Sequence, residues 1–259
     1  MSLLIIGSLV AVMAVAAPKR SDDSPYQGEY IAGANDFKLL ERGMRQARKV
    51  EEMLFPSLLD RVDVVLYDTK YLYVYSRDAG HALPKWRRRA GYQVYRLEHG
   101  RRPSEREMAR CSGGTDVVDR EIRKQLSEEY FACAPWGTFG AIQKKRRSVY
   151  QFEQGYLATI IHEFAHQFEF WQPQRTVEMA EIRRILSGMK LKLKADPESA
   201  AGEGFASWCE LEASKKLYAE HFRRMLSEAA GDKPDDLYAH GAGLKAAVAL
   251  FKARRSKRS

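Results

Sequence analysis

Two histidines four residues apart, inside a long apolar segment, restrict the fold of this 259-residue chain more than any other feature. The segment spans about 151–171 and has helical periodicity, and apolar neighbours such as Ile161 and Phe164 would bury the histidines. Residues four apart lie on one helix face a single turn from each other, as His162 and His166 would here. Two imidazoles so placed suit one tetrahedral zinc ion. The pattern predicts a metal-binding helix within a folded domain.

Glu163 directly follows the first histidine, where its carboxylate can reach a water on the metal. Zinc lowers the pKa of such a water towards about 7, and a carboxylate can take its proton during attack. These residue types predict a zinc-dependent hydrolase with Glu163 as general base. The alternative is a helix whose two histidines make only ordinary hydrogen bonds.

A zinc site of this type needs a third protein ligand, and the sequence limits its position. Metzincins continue the motif with a glycine and a third histidine, where this chain has Glu169 and Gln172, so that branch is excluded. Downstream, Glu203 begins the segment Glu-Gly-Phe-Ala-Ser-Trp at the head of the next strongly helical stretch.

The two segments together resemble the gluzincin branch of zinc peptidases, especially the minimal peptidase-MA-like families. The resemblance covers about 150–250 and implies that Glu203 is the third zinc ligand of a metallopeptidase. Glu210, seven residues on, shares that helix face and is the competing ligand, or else a partner of a ligand histidine. Thermolysin-like members have an acid that orients a histidine at the position where this chain has Ser207. Which residue would orient the ligand histidine here therefore stays open.

Peptide hydrolysis also needs a donor to the developing oxyanion, and related enzymes supply a tyrosine or histidine from a later helix. Tyr238 and His240 stand at the start of the last predicted helix, and the resemblance implies a tyrosine at about this place. Both are candidate catalytic residues. His221 is a weaker candidate, with a helix-surface position as its alternative.

The order of predicted elements indicates an α+β fold. The elements are helices over 35–55, 115–130, 151–171, 176–193, 203–229 and 237–254, and strands over 62–67, 71–75, 92–97 and 131–134. With the resemblance, this order implies a zincin-like fold: a small mixed sheet, an active-site zinc helix and a C-terminal helical part. The predicted boundaries are 19–34 for a linker, 35–254 for the domain and 255–259 for a basic tail.

The N-terminal residues 1–18 predict export or anchoring. Their apolar run is too short for a typical spanning helix and matches the core of a signal peptide, with Ala14 and Ala16 in a cleavage pattern. An uncleaved anchor is one alternative, because Lys19 and Arg20 follow directly, and a buried helix is the other. We therefore expect a secreted, periplasmic or membrane-anchored protein. Cys111 and Cys133 can form a disulfide there or stay as buried thiols.

The net charge of +9, from 43 basic and 34 acidic residues, predicts attraction to anionic surfaces. The charge is grouped at Arg87–Arg89, Lys144–Arg147 and the tail, although such runs are commonly just solvated. The expected partner is a peptide or protein substrate. One rival is a DNA-associated zincin protease with His221 or His240 as third ligand, which the missing cysteine ribbon and the apolar N-terminus disfavour. The other is a non-catalytic zincin-like binding domain.

Overall fold

The computed structural model confirms the predicted α+β class. The residues it describes are 30–54, 62–77, 80–98, 130–133, 135, 149–171, 177–189, 196–231 and 238–256. These stretches contain six helices and five strands. Outside them lie the segment 1–18, most of the linker, Cys111, the helix predicted from 115, the Lys144–Arg147 run and the end of the tail.

Helices and strands are numbered here in chain order. The helices are α1 (Ala34–Leu54), α2 (Val149–Trp171), α3 (Val177–Gly188), α4 (Pro197–Leu217), α5 (Ala219–Ala230) and α6 (Ala239–Ser256). The strands are β1 (Asp63–Tyr67), β2 (Tyr71–Ser76), β3 (Lys85–Arg89), β4 (Tyr92–Glu98) and β5 (Tyr130–Cys133).

The five strands form one mixed sheet in the order β3-β4-β2-β1-β5. The strands predicted over 62–67 and 71–75 are confirmed and form a hairpin: β1 and β2 are antiparallel, with Val65 opposite Val74. β5 pairs in parallel with β1 and places Cys133 opposite Leu66. β1 and β2 are almost entirely buried, so the sheet contributes one side of the core.

Asp68 forms the turn between β1 and β2. One carboxylate oxygen accepts hydrogen bonds from the backbone N–H groups of Lys70 and Tyr71, at 2.7 and 2.6 Å. The other accepts from the N–H of Ala32 at 2.8 Å. The end of the predicted linker is thus tied to this turn through Ala32, and α1 starts two residues later, at Ala34.

The helices pack closely because glycines stand at two crossings. At the first, the side chains of Leu157 and Ile160 on α2 lie directly over Gly43 of α1. At the second, Gly243 of α6 meets the backbone of α4 at Gly204, so closely that a Cβ on Gly243 would lie 2.5 Å from the Gly204 nitrogen. The second crossing sets α6 against the residues next to Glu203.

The single helix predicted over 203–229 is wrong in its bounds. Its first part, α4, begins earlier because Asp196 caps it, accepting the backbone N–H of Ser199 at 2.9 Å, and a proline follows the cap. The chain then leaves helical geometry at Tyr218, with φ −138° and ψ 64°, and α5 starts anew. In the described part of the chain, no helix is both long and apolar enough to span a bilayer.

Candidate metal centre

Helices α2 and α4 bring together the three predicted ligands. The candidate ligand atoms of His162, His166 and Glu203 all lie within 4.8 Å of one another. The two imidazole Nε2 atoms are 3.2 Å apart, and the Glu203 Oε2 lies 3.3 Å from that of His162 and 3.8 Å from that of His166. Ligand atoms of a tetrahedral zinc ion with bonds of about 2.1 Å are roughly 3.4 Å apart. The donor set of two nitrogens and one oxygen fits that ion.

Glu210 lies on the opposite side of the His162 ring from Glu203. Its Oε2 accepts from the His162 Nδ1–H at 2.9 Å, and both side chains are buried. In the neutral ring, this hydrogen bond keeps the proton on Nδ1, so Nε2 is the nitrogen that faces Glu203 and His166 and can bind a cation. The two acids that competed as third ligand are therefore separated by the ring: Glu203 lies at the candidate metal position, and Glu210 orients the ring of His162.

Both of these carboxylates are held in their ionised form. Burial alone would raise the pKa of Glu203, but hydrogen bonds from His162 and His240 outweigh it and hold the pKa well below its usual range. Burial opposes ionisation of Glu210 too, and hydrogen bonds from His162 and His221 likewise depress its pKa. The site thus presents negative charge to a cation.

The imidazoles differ from each other in protonation. Burial disfavours charge on His162, yet its hydrogen bonds to Glu203 and Glu210 raise its pKa well above the usual value. Burial and the neighbouring His162 lower the pKa of His166 to about 4. His166 is therefore ready to bind a cation at neutral pH, whereas His162 must first release a proton.

Glu163 lies in the cleft that opens beside the metal position. Burial raises its pKa to about 8, with the nearby charges of Glu203 and Glu210 adding to the shift and His162 opposing it. A carboxylate with so high a pKa can exchange protons near neutral pH. The cleft has a volume of about 200 Å³. Its lining residues are Thr159, His162, Glu163, Glu203, Ser207, Glu210, Arg224, Met225, Glu228, His240 and Leu244.

The two candidates from the last helix are placed differently. His240 lines the cleft, and its Nδ1 lies 3.0 Å from the Glu203 Oε2. Its ring centre is 5.6 Å from that of His162, and its side chain remains 68% exposed, at the mouth of the site. Tyr238 is half-exposed and is not among the lining residues. Of the two, the structure brings His240 to the metal position.

Ser207 does not hold a ligand histidine. Its hydroxyl is buried at the cleft and has no hydrogen-bond partner among the described residues. The contact that the resemblance assigns to an acid at this position is made by Glu210, one helical turn further along α4.

The alternative of a helix-surface position for His221 is wrong. The structure leaves only 2% of the residue exposed and places its Nε2 at 2.5 Å from the Glu210 Oε1. A signal was present in the spacing: His221 follows Tyr218 by three residues and precedes Met225 by four, and both of these are buried. A polar residue in a core-facing position needs a buried partner, and here that partner is Glu210.

No protein-family model matches this chain, and neither does any curated protein or solved structure.

Proposed function

We propose that the protein is a zinc-dependent metallopeptidase with a zincin-like fold of gluzincin type. His162, His166 and Glu203 would hold one zinc ion. The observation that supports this most directly is the cluster of their three donor atoms beside Glu163, in a cleft open to solvent. Bound zinc would supply Lewis-acid chemistry, activating a water and polarising a peptide carbonyl.

Glu163 would act as general base. Because its carboxylate faces the cleft and its pKa is raised to about 8, it can take a proton from the attacking water and return it to the leaving amine. His240, at the mouth of the cleft, would donate an N–H to the oxygen that becomes negative. Tyr238 remains the alternative donor, and it would have to turn inward from its half-exposed position.

The open cleft favours catalysis over a purely structural metal. Structural zinc sites fill the fourth position with a protein side chain, whereas catalytic sites leave it to water or substrate. Thr159 and Leu244 help to line a volume of about 200 Å³, which gives a substrate room beside the metal position. His221 contacts Glu210 rather than the imidazole pair, which supports a carboxylate as third ligand over that histidine.

We also propose a peptide or protein substrate encountered outside the cytoplasm. This follows from the predicted export or anchoring segment 1–18 and from the chemistry of the site. The basic run Arg87–Arg89 lies on β3 and includes exposed side chains that can contact an anionic surface.

The test compares Glu163→Gln with the wild-type protein. We expect both to bind one zinc ion by metal analysis, and we expect casein cleavage by the variant to fall by about 10²–10⁴-fold because the base is lost. A chelator should abolish wild-type cleavage, and added zinc should restore it.

Glu198→Gln is a matched control, because Glu198 is an exposed glutamate on α4 whose partner is Arg183. It should cleave at the wild-type rate. Wild-type activity in Glu163→Gln, or a wild-type protein that binds no zinc, would refute the proposal. Tight zinc binding without hydrolysis of any peptide would instead favour the non-catalytic binding domain.

A further inference from the structure

A chain of buried polar side chains leads from His162 away from the cleft. His162 Nδ1 donates to one oxygen of Glu210, and the other oxygen of Glu210 accepts from His221 Nε2 at 2.5 Å. The three residues are on three different helices, α2, α4 and α5, and each is less than 9% exposed. The Glu210 carboxylate is therefore held from both sides by imidazole N–H groups.

The hydrogen-bonding pattern determines which nitrogen carries each proton. An ionised carboxylate only accepts, so both imidazole nitrogens that face Glu210 must be donors. The remaining nitrogen of His221, Nδ1, is buried and has no hydrogen-bond partner among the described residues. A proton on Nε2 of His221 therefore meets an acceptor, whereas a proton on Nδ1 would be a buried N–H without one.

His221 is itself fixed by α2. Tyr218, at the N-cap of α5, makes no side-chain capping bond. The side-chain oxygen of Gln154 takes that role and accepts from the backbone N–H groups of Glu220 and His221, at 3.1 and 3.2 Å. Gln154 lies on the same helix as His162, so the contacts form a closed loop from α2 through α5 and α4 back to α2.

We propose that His221 is a positioning residue for the metal site: by holding Glu210, it fixes the tautomer and ring orientation of His162. This inference rests on the proposed zinc site and assigns a function to a residue that does not touch the metal position. Without His221, one oxygen of a buried, ionised carboxylate loses its donor, and Glu210 turns to find another. His162 then loses the fixed acceptor that keeps its Nε2 free for the metal. Groups that orient a ligand histidine commonly contribute 10–100-fold to metal affinity.

The experiment measures zinc affinity by competition with a chelating dye at pH 7.5, on the full chain. His221→Leu should weaken binding about tenfold relative to the wild-type protein. His221→Gln keeps a side-chain N–H donor at a similar reach and should restore most of the affinity. Phe222→Leu is the packing control: Phe222 is on the same helix, its ring is 5.4 Å from that of Phe251, and no hydrogen bond links it to Glu210. This control should lower the melting temperature but leave zinc affinity unchanged.

Two outcomes separate this inference from the function on which it rests. If the wild-type protein binds no zinc, both are overturned. If the wild-type protein binds zinc and His221→Leu binds it equally well, or if the Gln variant is as weak as the Leu variant, only the positioning role is overturned.

A second measurement on the wild-type protein covers the case in which His221→Leu does not fold. Long-range ¹H–¹⁵N spectra of the zinc-loaded, histidine-labelled protein should show a proton on His162 Nδ1 and one on His221 Nε2, both exchanging slowly with water. A His221 that carries its proton on Nδ1 alone cannot donate to Glu210 and contradicts the inference.

Discussion

Replacing Gly243 by alanine tests whether the crossing of α6 over α4 positions the metal site. A Cβ added there would lie 2.5 Å from the Gly204 nitrogen, 2.8 Å from the Glu203 carbonyl carbon and 2.9 Å from the Ala200 oxygen. All three are backbone atoms, which cannot move aside as the end of a flexible side chain can. The helices must therefore separate by about 1 Å to reach ordinary van der Waals distance.

The expected size of the effect follows from two opposing contributions. Forcing an extra methyl group into a packed crossing costs about 1–3 kcal/mol, and the upper part of that range, about 2–3 kcal/mol, applies here because the methyl group meets backbone atoms. Alanine in place of glycine inside a helix contributes about 1 kcal/mol in the other direction. The net destabilisation of Gly243→Ala should be about 1–2 kcal/mol, which lowers the melting temperature by roughly 2–8 °C in a protein of this size. Zinc affinity should fall too, because the displaced backbone carries Glu203.

Thermal unfolding in a chelator and zinc titration measure the two effects separately. Gly155→Ala is the matched control: Gly155 is also inside a helix, but its added Cβ would meet the His221 ring at an ordinary 3.6 Å. That variant should be as stable as the wild-type protein or up to about 1 kcal/mol more stable. If Gly243→Ala melts at or above the wild-type temperature, the crossing is looser than the structure indicates and the reasoning fails.

Three other predictions concern pH, the mouth of the cleft and the β1–β2 turn. A proton on His162 competes with zinc, so below the raised pKa of His162 the affinity should fall as pH falls, by about tenfold per pH unit. The titrations use Glu163→Gln, because Glu163 has a pKa of about 8 and would otherwise titrate in the same range as His162. A zinc affinity that is flat from pH 5.5 to 7.5 would contradict the prediction. His240→Ala should lower kcat by at least about tenfold, while Tyr238→Phe should cleave at the wild-type rate; the reverse result would assign the oxyanion donor to the tyrosine. Asp68→Ala removes the acceptor for three backbone N–H groups and should lower the free energy of unfolding in urea by about 3 kcal/mol. The control Asp196→Ala removes only a helix cap and should lower it by about 1 kcal/mol. Equal losses in those two variants would contradict it.

The parts of the fold that were predictable have short-range patterns. In the β1–β2 hairpin, tyrosines alternate with aliphatic residues along β2 and Asp68 lies at the turn. In α2, apolar residues recur with the period of a helix. β3 was missed because four of its five residues, Lys85–Arg89, are basic, a composition typical of an exposed loop. Such charges are tolerated in β3 because it is a sheet edge whose described neighbour is β4 alone.

The cluster of His162, His166 and Glu203 was predictable because helical spacing and the downstream glutamate specify it. The network behind them was not, because it depends on the directions of side chains from three helices. Spacing alone left Glu210 equally able to bind the ion or to hold a histidine. Only the packing of α4 against α2 places it on Nδ1 of His162 rather than at the metal position. The role of His221 also depends on the interruption of the helix at Tyr218, where α4 ends and α5 begins.

The basic edge of the sheet has a consequence for how copies of this protein behave when concentrated. An uncovered strand edge invites the same edge of a neighbouring molecule to add on through backbone hydrogen bonds, which is a common start to aggregation. Here, two β3 edges would bring rows of lysine and arginine face to face before any such bond could form. Mutual repulsion should keep the molecules apart at low ionic strength, and concentrated salt should weaken that protection.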